Sequence, residues 1–173
     1  MIVSVVMTTY LVFGFTIDEF SVVSVCGFQF TEGPIWIKEV GWIFSDIPAN
    51  KIFTFSKREF LSPSGNSNGI AVDKEGNIFI AEHGNRCISI LRMKTWRKEV
   101  FVDNFEGKKF NSPNDLIVDS KGNLYFTDPP YGLAGGLEGP NSELGFCGVF
   151  KVDKDKKVKL LNKNLLRPNG IAL

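Results

Sequence analysis

The stretch NDLIVDSKGNLYFTD at residues 114–128 repeats an earlier stretch, NGIAVDKEGNIFIAE at residues 68–82, at an offset of 46 residues. Both copies carry an Asp-x-x-Gly-Asn turn, at residues 73–77 and 119–123, between two short apolar runs. Tight turns favour aspartate, glycine and asparagine, and short apolar runs on both sides of a turn indicate strands. Each copy therefore predicts a β-hairpin whose second strand ends in an acid.

Two further copies extend the repeat in both directions. The looser stretch EGPIWIKEVGWIFSD fills residues 32–46, and NGIAL opens a fourth copy at residues 169–173. After each acid comes another strand-like run, namely KIFTF, CISIL and GVFKV. Four strands in a unit of about 40–50 residues indicate a propeller blade. We predict an all-β fold: a β-propeller of four-stranded blades, truncated to about three blades and the start of a fourth.

The repeat also predicts which residues serve structure. Residues 129–147, PPYGLAGGLEGPNSELGFC, are too rich in glycine and proline for regular structure and should form a long loop. The acids that end the second strands should accept backbone N–H groups: Asp46, Glu82 and Asp128. The tryptophans should lie in the cores of the blades: Trp36, Trp42 and Trp96.

Composition describes an ordinary globular protein. The chain has 173 residues, 43% of them hydrophobic and 23% charged, with a net charge of +1. A balance so close to neutral gives no basic face, and so we expect neither nucleic-acid nor membrane partners. Three cysteines without a C-x-x-C pair, together with one histidine, do not make a Cys/His zinc site. The sequence sets no oligomeric state.

The N-terminal apolar segment, residues 1–26, is expected to be distinct from the partial propeller at residues 27–173. No lysine or arginine precedes Lys38, whereas a signal peptide should begin with positive charge. The segment is rich in valine, threonine, tyrosine and phenylalanine, which favours a buried strand pair. A targeting segment is the alternative. The first interpretation places the protein in the cytoplasm, the second in the periplasm or outside the cell.

Repeat-equivalent positions of a propeller form rings around the central axis, because the same strand of every blade lines the channel. One such ring begins the four copies: Glu32, Asn68, Asn114 and Asn169. A single asparagine in such a position is most often a turn former, but four equivalent oxygen-bearing side chains favour a shared site. Carboxylate and amide oxygens are the ligands of hard divalent cations. The ring therefore predicts a metal site.

Five motifs resemble those of the gluconolactonase branch of the senescence-marker-protein/regucalcin family. They are FTEGPIW, FSDIPANKI, SNGIAVDKEGNIFIAEHGNR, EGKKFNSPNDLIVDSKGNLYFTDPPYG and RPNGIAL, in family order over residues 27–173. The resemblance implies a six-bladed propeller and a calcium- or zinc-dependent hydrolase, in most members a lactonase. It implies a small-molecule sugar lactone as the partner.

By motif position, the resemblance implies Glu32, Asn114 and Asn169 as ligands of one divalent cation, with Ca²⁺ favoured over Mg²⁺ or Zn²⁺. The family's remaining ligand, an aspartate, belongs to a later blade that this chain does not contain. The expected substrate contacts are Asn68, Ser112 and Tyr131. Ser112 departs from the family, since some members carry a substrate-contacting arginine at this position.

The implied reaction is attack of water on a lactone carbonyl polarised by the metal, with a side chain taking the proton from water. Two residues are candidates for this general base: Asp115, next to Asn114, and His83 in AEHGNR. The alternative function is a non-catalytic half-propeller, either a degenerate fragment or a module that another chain completes. For the hydrolase, we expect full activity to require more blades than this chain carries.

Overall fold

The computed structural model describes residues 11–13 and 23–173, with side chains from Val25 onward. Strands β1 (Leu11–Phe13) and β2 (Val23–Val25) form a short antiparallel pair. Residues 1–10 and 14–22 lie outside the described residues, so the predicted targeting alternative and the boundary of the 1–26 segment stay predictions. None of the described residues belongs to a helix of the length and apolarity needed to cross a membrane.

The first blade is an antiparallel sheet of four sequential strands, β3 to β6. Their bounds are β3 (Thr31–Ile37), β4 (Gly41–Asp46), β5 (Lys51–Thr54) and β6 (Glu59–Leu61).

The second blade repeats this order with β7 (Ser67–Val72), β8 (Ile78–Glu82), β9 (Cys87–Arg92) and β10 (Arg97–Val102). A separate two-stranded hairpin follows it, formed by β11 (Asn104–Phe105) and β12 (Lys108–Lys109).

The third blade consists of β13 (Leu116–Val118), β14 (Leu124–Asp128), β15 (Gly148–Val152) and β16 (Val158–Asn162). The predicted long loop joins its second and third strands and contains one turn of 3₁₀ helix, Gly136–Glu138. Three four-stranded antiparallel sheets in sequence confirm the all-β propeller blades.

The turn of each repeat is closed by the side chain of its aspartate. Asp73 Oδ1 accepts the Asn77 N–H at 2.8 Å, and Asn77 Nδ2 donates to Asp73 Oδ2 at 2.9 Å. Asp119 and Asn123 form the same two bonds at 2.8 and 2.7 Å, and the bond from the Asn123 side chain is the main reason why the pKa of Asp119 falls to about 2. Gly76, at φ +83°, provides the left-handed residue that this turn needs.

The core consists of two clusters, one on each side of the second blade. Strand β8 alternates between them: Ile78 and Ile80 pack towards the first blade, Phe79 and Ala81 towards the third. All five residues of β8 are buried, because a neighbouring blade covers each face of this sheet. At the centre of the second cluster, the Phe126 ring lies 5.0 Å from that of Phe110 and 5.2 Å from that of Phe150.

The placement of the tryptophans corrects one expectation. Trp36 is 54% exposed and Trp96 is 51% exposed, so neither lies in a blade core. Trp36 pairs with Trp42 across β3 and β4, on the opposite face from Ile37 and Ile43, which pack against the second blade. Trp96 lies in the turn between β9 and β10, with a φ of +56°.

The repeat acids satisfy the backbone in two of the three blades, as predicted. Asp46 accepts the N–H groups of Gln29 and Phe30 at 3.0 and 3.1 Å. Asp128 accepts the N–H of Asn111 at 2.8 Å. Glu82 differs, since its longer side chain forms an ion pair with Lys98 Nζ at 3.0 Å and accepts hydrogen bonds from the side chains of Ser89 and Asn85.

Candidate active site

The beginnings of the inner strands of successive blades lie directly against one another. Gly33 follows Glu32, and a Cβ atom on it would overlap the Asn68 carbonyl oxygen. Gly69 follows Asn68 and donates its N–H to Asn114 O at 2.7 Å. The ring positions of the first three blades are therefore consecutive neighbours in space, as the repeat predicts.

The fourth ring position is held beside the third blade. Thr127 Oγ1 donates to Asn169 O at 2.6 Å. Two residues later, Ile171 N donates to Asp115 Oδ2 at 2.9 Å. The structure thus places Asn169 beside Thr127 and close to Asp115, the residue after Asn114, although no strand forms after residue 162.

Asp115 is the exception among the residues that follow the ring positions. The equivalent residues are glycines: Gly33, Gly69 and Gly170. A Cβ on Gly69 would lie 2.8 Å from Asp115 Oδ1, and one on Gly170 would lie 3.8 Å from Asp115 Oδ2. The carboxylate of Asp115 therefore fills space that two neighbouring glycines leave free. Burial raises the pKa of Asp115, although the N–H groups of Ile171 and Leu116 oppose this by donating to its oxygens.

Glu32 and Asp115 place two carboxylates close together in this ring. Burial raises the pKa of Glu32, and the charge of Asp115 raises it further. Among the described residues, no lysine, arginine or histidine forms an ion pair with either carboxylate. Two partly buried acids without a cationic partner create a negative potential that favours a bound cation.

The donor set of the ring is mostly amide. In the part of the chain that the structure describes, no group of three or more His, Cys, Asp or Glu side chains lies close enough to hold a metal ion. The predicted ligands Asn114 and Asn169 would supply amide oxygens beside the carboxylate of Glu32. An all-oxygen set of this kind fits a hard cation such as Ca²⁺ or Mg²⁺ better than Zn²⁺, which favours nitrogen and sulfur.

His83 lies next to the ring, and its side chain contacts the ring residue Asn68. Its Nε2 is 3.2 Å from Asn68 Nδ2, and its side chain is only 8% exposed. Burial lowers the pKa of His83 to about 4, so the imidazole is neutral at physiological pH. Its assignment as a general base stays a prediction, and so does that of Asp115.

The other expected substrate contacts lie around the long loop. Ser112 is fully buried, with its Oγ donating to Pro129 O at 2.6 Å and accepting the N–H of Gly132 at 2.8 Å. These bonds make Ser112 an anchor for the loop. Tyr131, 47% exposed, lies two residues into that loop. A substrate contact for Ser112, Tyr131 or Asn68 stays a prediction.

Thr127 organises the site, but the sequence patterns did not predict a role for it. Its hydroxyl holds Asn169 O, and its carbonyl accepts the N–H of Asn114 at 2.8 Å. It also accepts the N–H of Asp115 through Oγ1 at 3.2 Å. The available signal was its position: it precedes the repeat acid, where the earlier copies have Ser45 and Ala81.

A buried carboxyl anchors the segment that leads to Asn114. Asp128 is fully buried, and its Oδ2 accepts the Asn111 N–H, while Asn111 Nδ2 donates to Asp128 O at 3.0 Å. Within the described residues, Asp128 Oδ1 and Asn111 Oδ1 are buried without a hydrogen-bond partner. Burial raises the pKa of Asp128 to about 7, despite the opposing backbone donors.

Asp128→Asn is expected to stabilise the protein at pH 8 and to have little effect at pH 4. The folded state holds the Asp128 proton above the unfolded pKa of 3.8, so this contribution is complete below that pH and is lost as the pH rises to about 7. The shift corresponds to at most about 4 kcal/mol. An uncharged amide avoids that loss. Urea unfolding of both proteins at several pH values measures the difference.

Asp46→Asn is the matched control in the first blade. Both oxygens of Asp46 accept backbone N–H groups, so an amide NH₂ there faces a donor and should destabilise the protein at pH 8. Equal losses of stability in the two variants at pH 8 would contradict the assignment of Asp128 as a carboxyl that retains its proton.

Known proteins resemble this chain over most of its length. The SMP-30/Gluconolactonase/LRE-like region matches residues 30–173. The gluconolactonase of Zymomonas mobilis subsp. mobilis is 40% identical over 163 residues, which cover 84% of this chain and 46% of that protein. Lactonase drp35 of Staphylococcus epidermidis is 32% identical over 149 residues, covering 82% of this chain and 42% of the relative.

A solved structure shares the fold as well. A gluconolactonase from Xanthomonas campestris superposes with a TM-score of 0.68 at 28% identity, covering 79% of this chain and 48% of that one. The chain therefore spans about half the length of the relatives that it matches.

Proposed function

The chain belongs to the SMP-30/gluconolactonase/LRE-like family, and from this premise we propose that it carries the ring of a divalent-metal-dependent hydrolase that opens sugar lactones. The observation that supports this most is the meeting of Glu32, Asn114, Asp115 and Asn169 at one end of three blades. Similarity to gluconolactonases from two organisms supports the lactone as the substrate class. Complete activity is proposed for the whole protein that includes this part.

The cation would be held by Glu32, Asn114 and Asn169, and Ca²⁺ is the ion proposed. When bound, such an ion acts as a Lewis acid towards a lactone carbonyl. The paired negative charge of Glu32 and Asp115 supports a cation at this place, since no basic side chain of the described residues balances it.

Asp115 is the proposed general base. Burial raises its pKa, which makes the carboxylate a stronger base than a solvated aspartate. Each of its oxygens already accepts one backbone N–H, from Leu116 or Ile171, and these bonds fix its orientation while one lone pair on each oxygen remains. His83 is the weaker candidate, because burial lowers its pKa to about 4 and Asn68 lies against its Nε2.

Addition of calcium is expected to raise the thermal midpoint of the wild-type chain. A ligand at 100 times its Kd stabilises the native state by about 2.7 kcal/mol, which is roughly 5–10 °C for a domain of this size. Glu32→Gln removes the one carboxylate among the proposed ligands and should abolish the shift. Scanning calorimetry with and without millimolar calcium measures it.

Glu75→Gln is the control for the charge change. Glu75 lies in the exposed turn after β7, so this variant should keep the calcium shift. A shift that survives in Glu32→Gln would refute the ligand assignment. If calcium produces no shift and the whole protein hydrolyses no aldonolactone, the non-catalytic half-propeller becomes the better account.

The cytoplasm is the proposed compartment. Cys26, Cys87 and Cys147 are free thiols, which is typical of proteins in a reducing environment.

A further inference from the structure

We infer that His83 is a positioning residue, which fixes the side-chain amide of Asn68 in the ring by accepting a hydrogen bond from it. The inference rests on the proposed function only where it concerns the lactone; the arrangement of the two side chains is independent of it.

The first support is the contact itself. His83 Nε2 lies 3.2 Å from Asn68 Nδ2, and both side chains are buried, at 8% and 5% exposure. A neutral imidazole has one donor and one acceptor nitrogen, and an amide NH₂ can only donate. The Asn68 amide therefore donates to Nε2, and the imidazole proton is on Nδ1.

The second support is the carbonyl oxygen of the Asn68 amide, which this bond leaves available. No described residue donates to Asn68 Oδ1, so the carbonyl end of the amide remains a free acceptor. Without His83, the two ends of the Asn68 amide could exchange by rotation about the last side-chain bond. With His83 accepting from Nδ2, the amide has one orientation. A fixed amide presents a constant oxygen to whatever occupies the ring.

The third support is the way His83 itself is held. A Cβ on Gly132 would lie 3.1 Å from His83 Cβ and 2.8 Å from Ser112 Cβ, so the loop backbone packs closely on the histidine. Gly132 in turn donates its N–H to Ser112 Oγ at 2.8 Å. A continuous line of contacts thus runs from Ser112 through Gly132 and His83 to Asn68. Through it, the long loop limits the orientation of a ring residue.

The first test uses the fact that His83 is the only histidine in the chain. Long-range nitrogen-15 correlation spectra of the whole chain at pH 7 should contain one imidazole, neutral and protonated on Nδ1. In Asn68→Ala, the Nε2 signal should lose its hydrogen-bonded shift and the population of the other tautomer should rise. An imidazole protonated on Nε2, or spectra unchanged in Asn68→Ala, would overturn the inference.

The second test compares two variants of nearly equal chemistry. Glutamine places an acceptor oxygen near the position of Nε2, whereas asparagine places one near Nδ1, out of reach of Asn68. We expect His83→Asn to raise KM for an aldonolactone about tenfold in the whole protein, with kcat changed less, and His83→Gln to stay within about threefold of wild type.

The results of the two tests distinguish a positioning role of His83 from a space-filling role, and both from failure of the proposed function. Equal increases of KM in both variants would show that His83 only fills space, and would overturn the positioning role. If wild type hydrolyses no lactone, the proposed function fails, and the tautomer measurement still decides the role of His83. Thermal midpoints of both variants identify any loss that comes from unfolding.

Discussion

Asp115→Asn is expected to lower kcat for aldonolactone hydrolysis by about 100-fold or more, with a smaller change in KM. The asparagine has the same size and keeps one acceptor oxygen, but it cannot take a proton from water. General-base catalysis typically contributes a factor of about 100 to 10,000, which sets the size of the loss. Steady-state kinetics over pH 5–9 with saturating calcium measures it.

The matched control is Asp155→Asn, in the exposed turn between β15 and β16. It changes the same functional group away from the ring and should leave both kinetic constants unchanged. Because Asp115 accepts the N–H groups of Leu116 and Ile171, its variant also needs a stability measurement. If Asp115→Asn folds and retains kcat, the base is another group and the role proposed for Asp115 is wrong.

The architecture could be predicted from sequence because a blade is a local unit. The spacing of 14 residues between each ring residue and the acid that ends the second strand is built into every hairpin. Turn residues such as Asp73 and Asn77 close that hairpin without help from other blades. The ring followed from the repeat alone, since equivalent positions in successive blades must be neighbours.

What the sequence could not provide depends on contacts between blades. Trp36 and Ile37 are adjacent and both apolar, but only the face with Ile37 meets the second blade. The bond between His83 and Asn68 joins residues that neither repeat nor spacing connects.

The repeat acids show the same limit. Asp46 and Asp128 occupy the same position in their copies, yet one Asp128 oxygen has no partner among the described residues. The difference arises from the segments that reach each acid, and no periodicity in the sequence describes them.

Gly69→Ala is expected to damage both stability and activity, because this glycine lies where two blades meet at the ring. An added Cβ would lie 2.7 Å from Asn114 O and 2.8 Å from Asp115 Cα, and these are backbone atoms that cannot turn away. The bond from Gly69 N to Asn114 O, 2.7 Å long, would lengthen or break. Overpacking and a lost hydrogen bond together predict a loss of roughly 2–4 kcal/mol in the free energy of unfolding.

The effect on activity should exceed what stability alone explains. The atoms that the new methyl displaces belong to Asn114 and Asp115, and a shift of about 1 Å in a catalytic group can cost about 100-fold in rate. Gly76→Ala separates the two causes: its φ of +83° strains an alanine by about 1–2 kcal/mol, but a Cβ there meets no described atom within 4 Å. Urea unfolding and kcat, measured for both variants below their midpoints, should show Gly76→Ala destabilised yet active and Gly69→Ala destabilised and nearly inactive. A fully active Gly69→Ala would mean that the ring does not depend on this contact between blades.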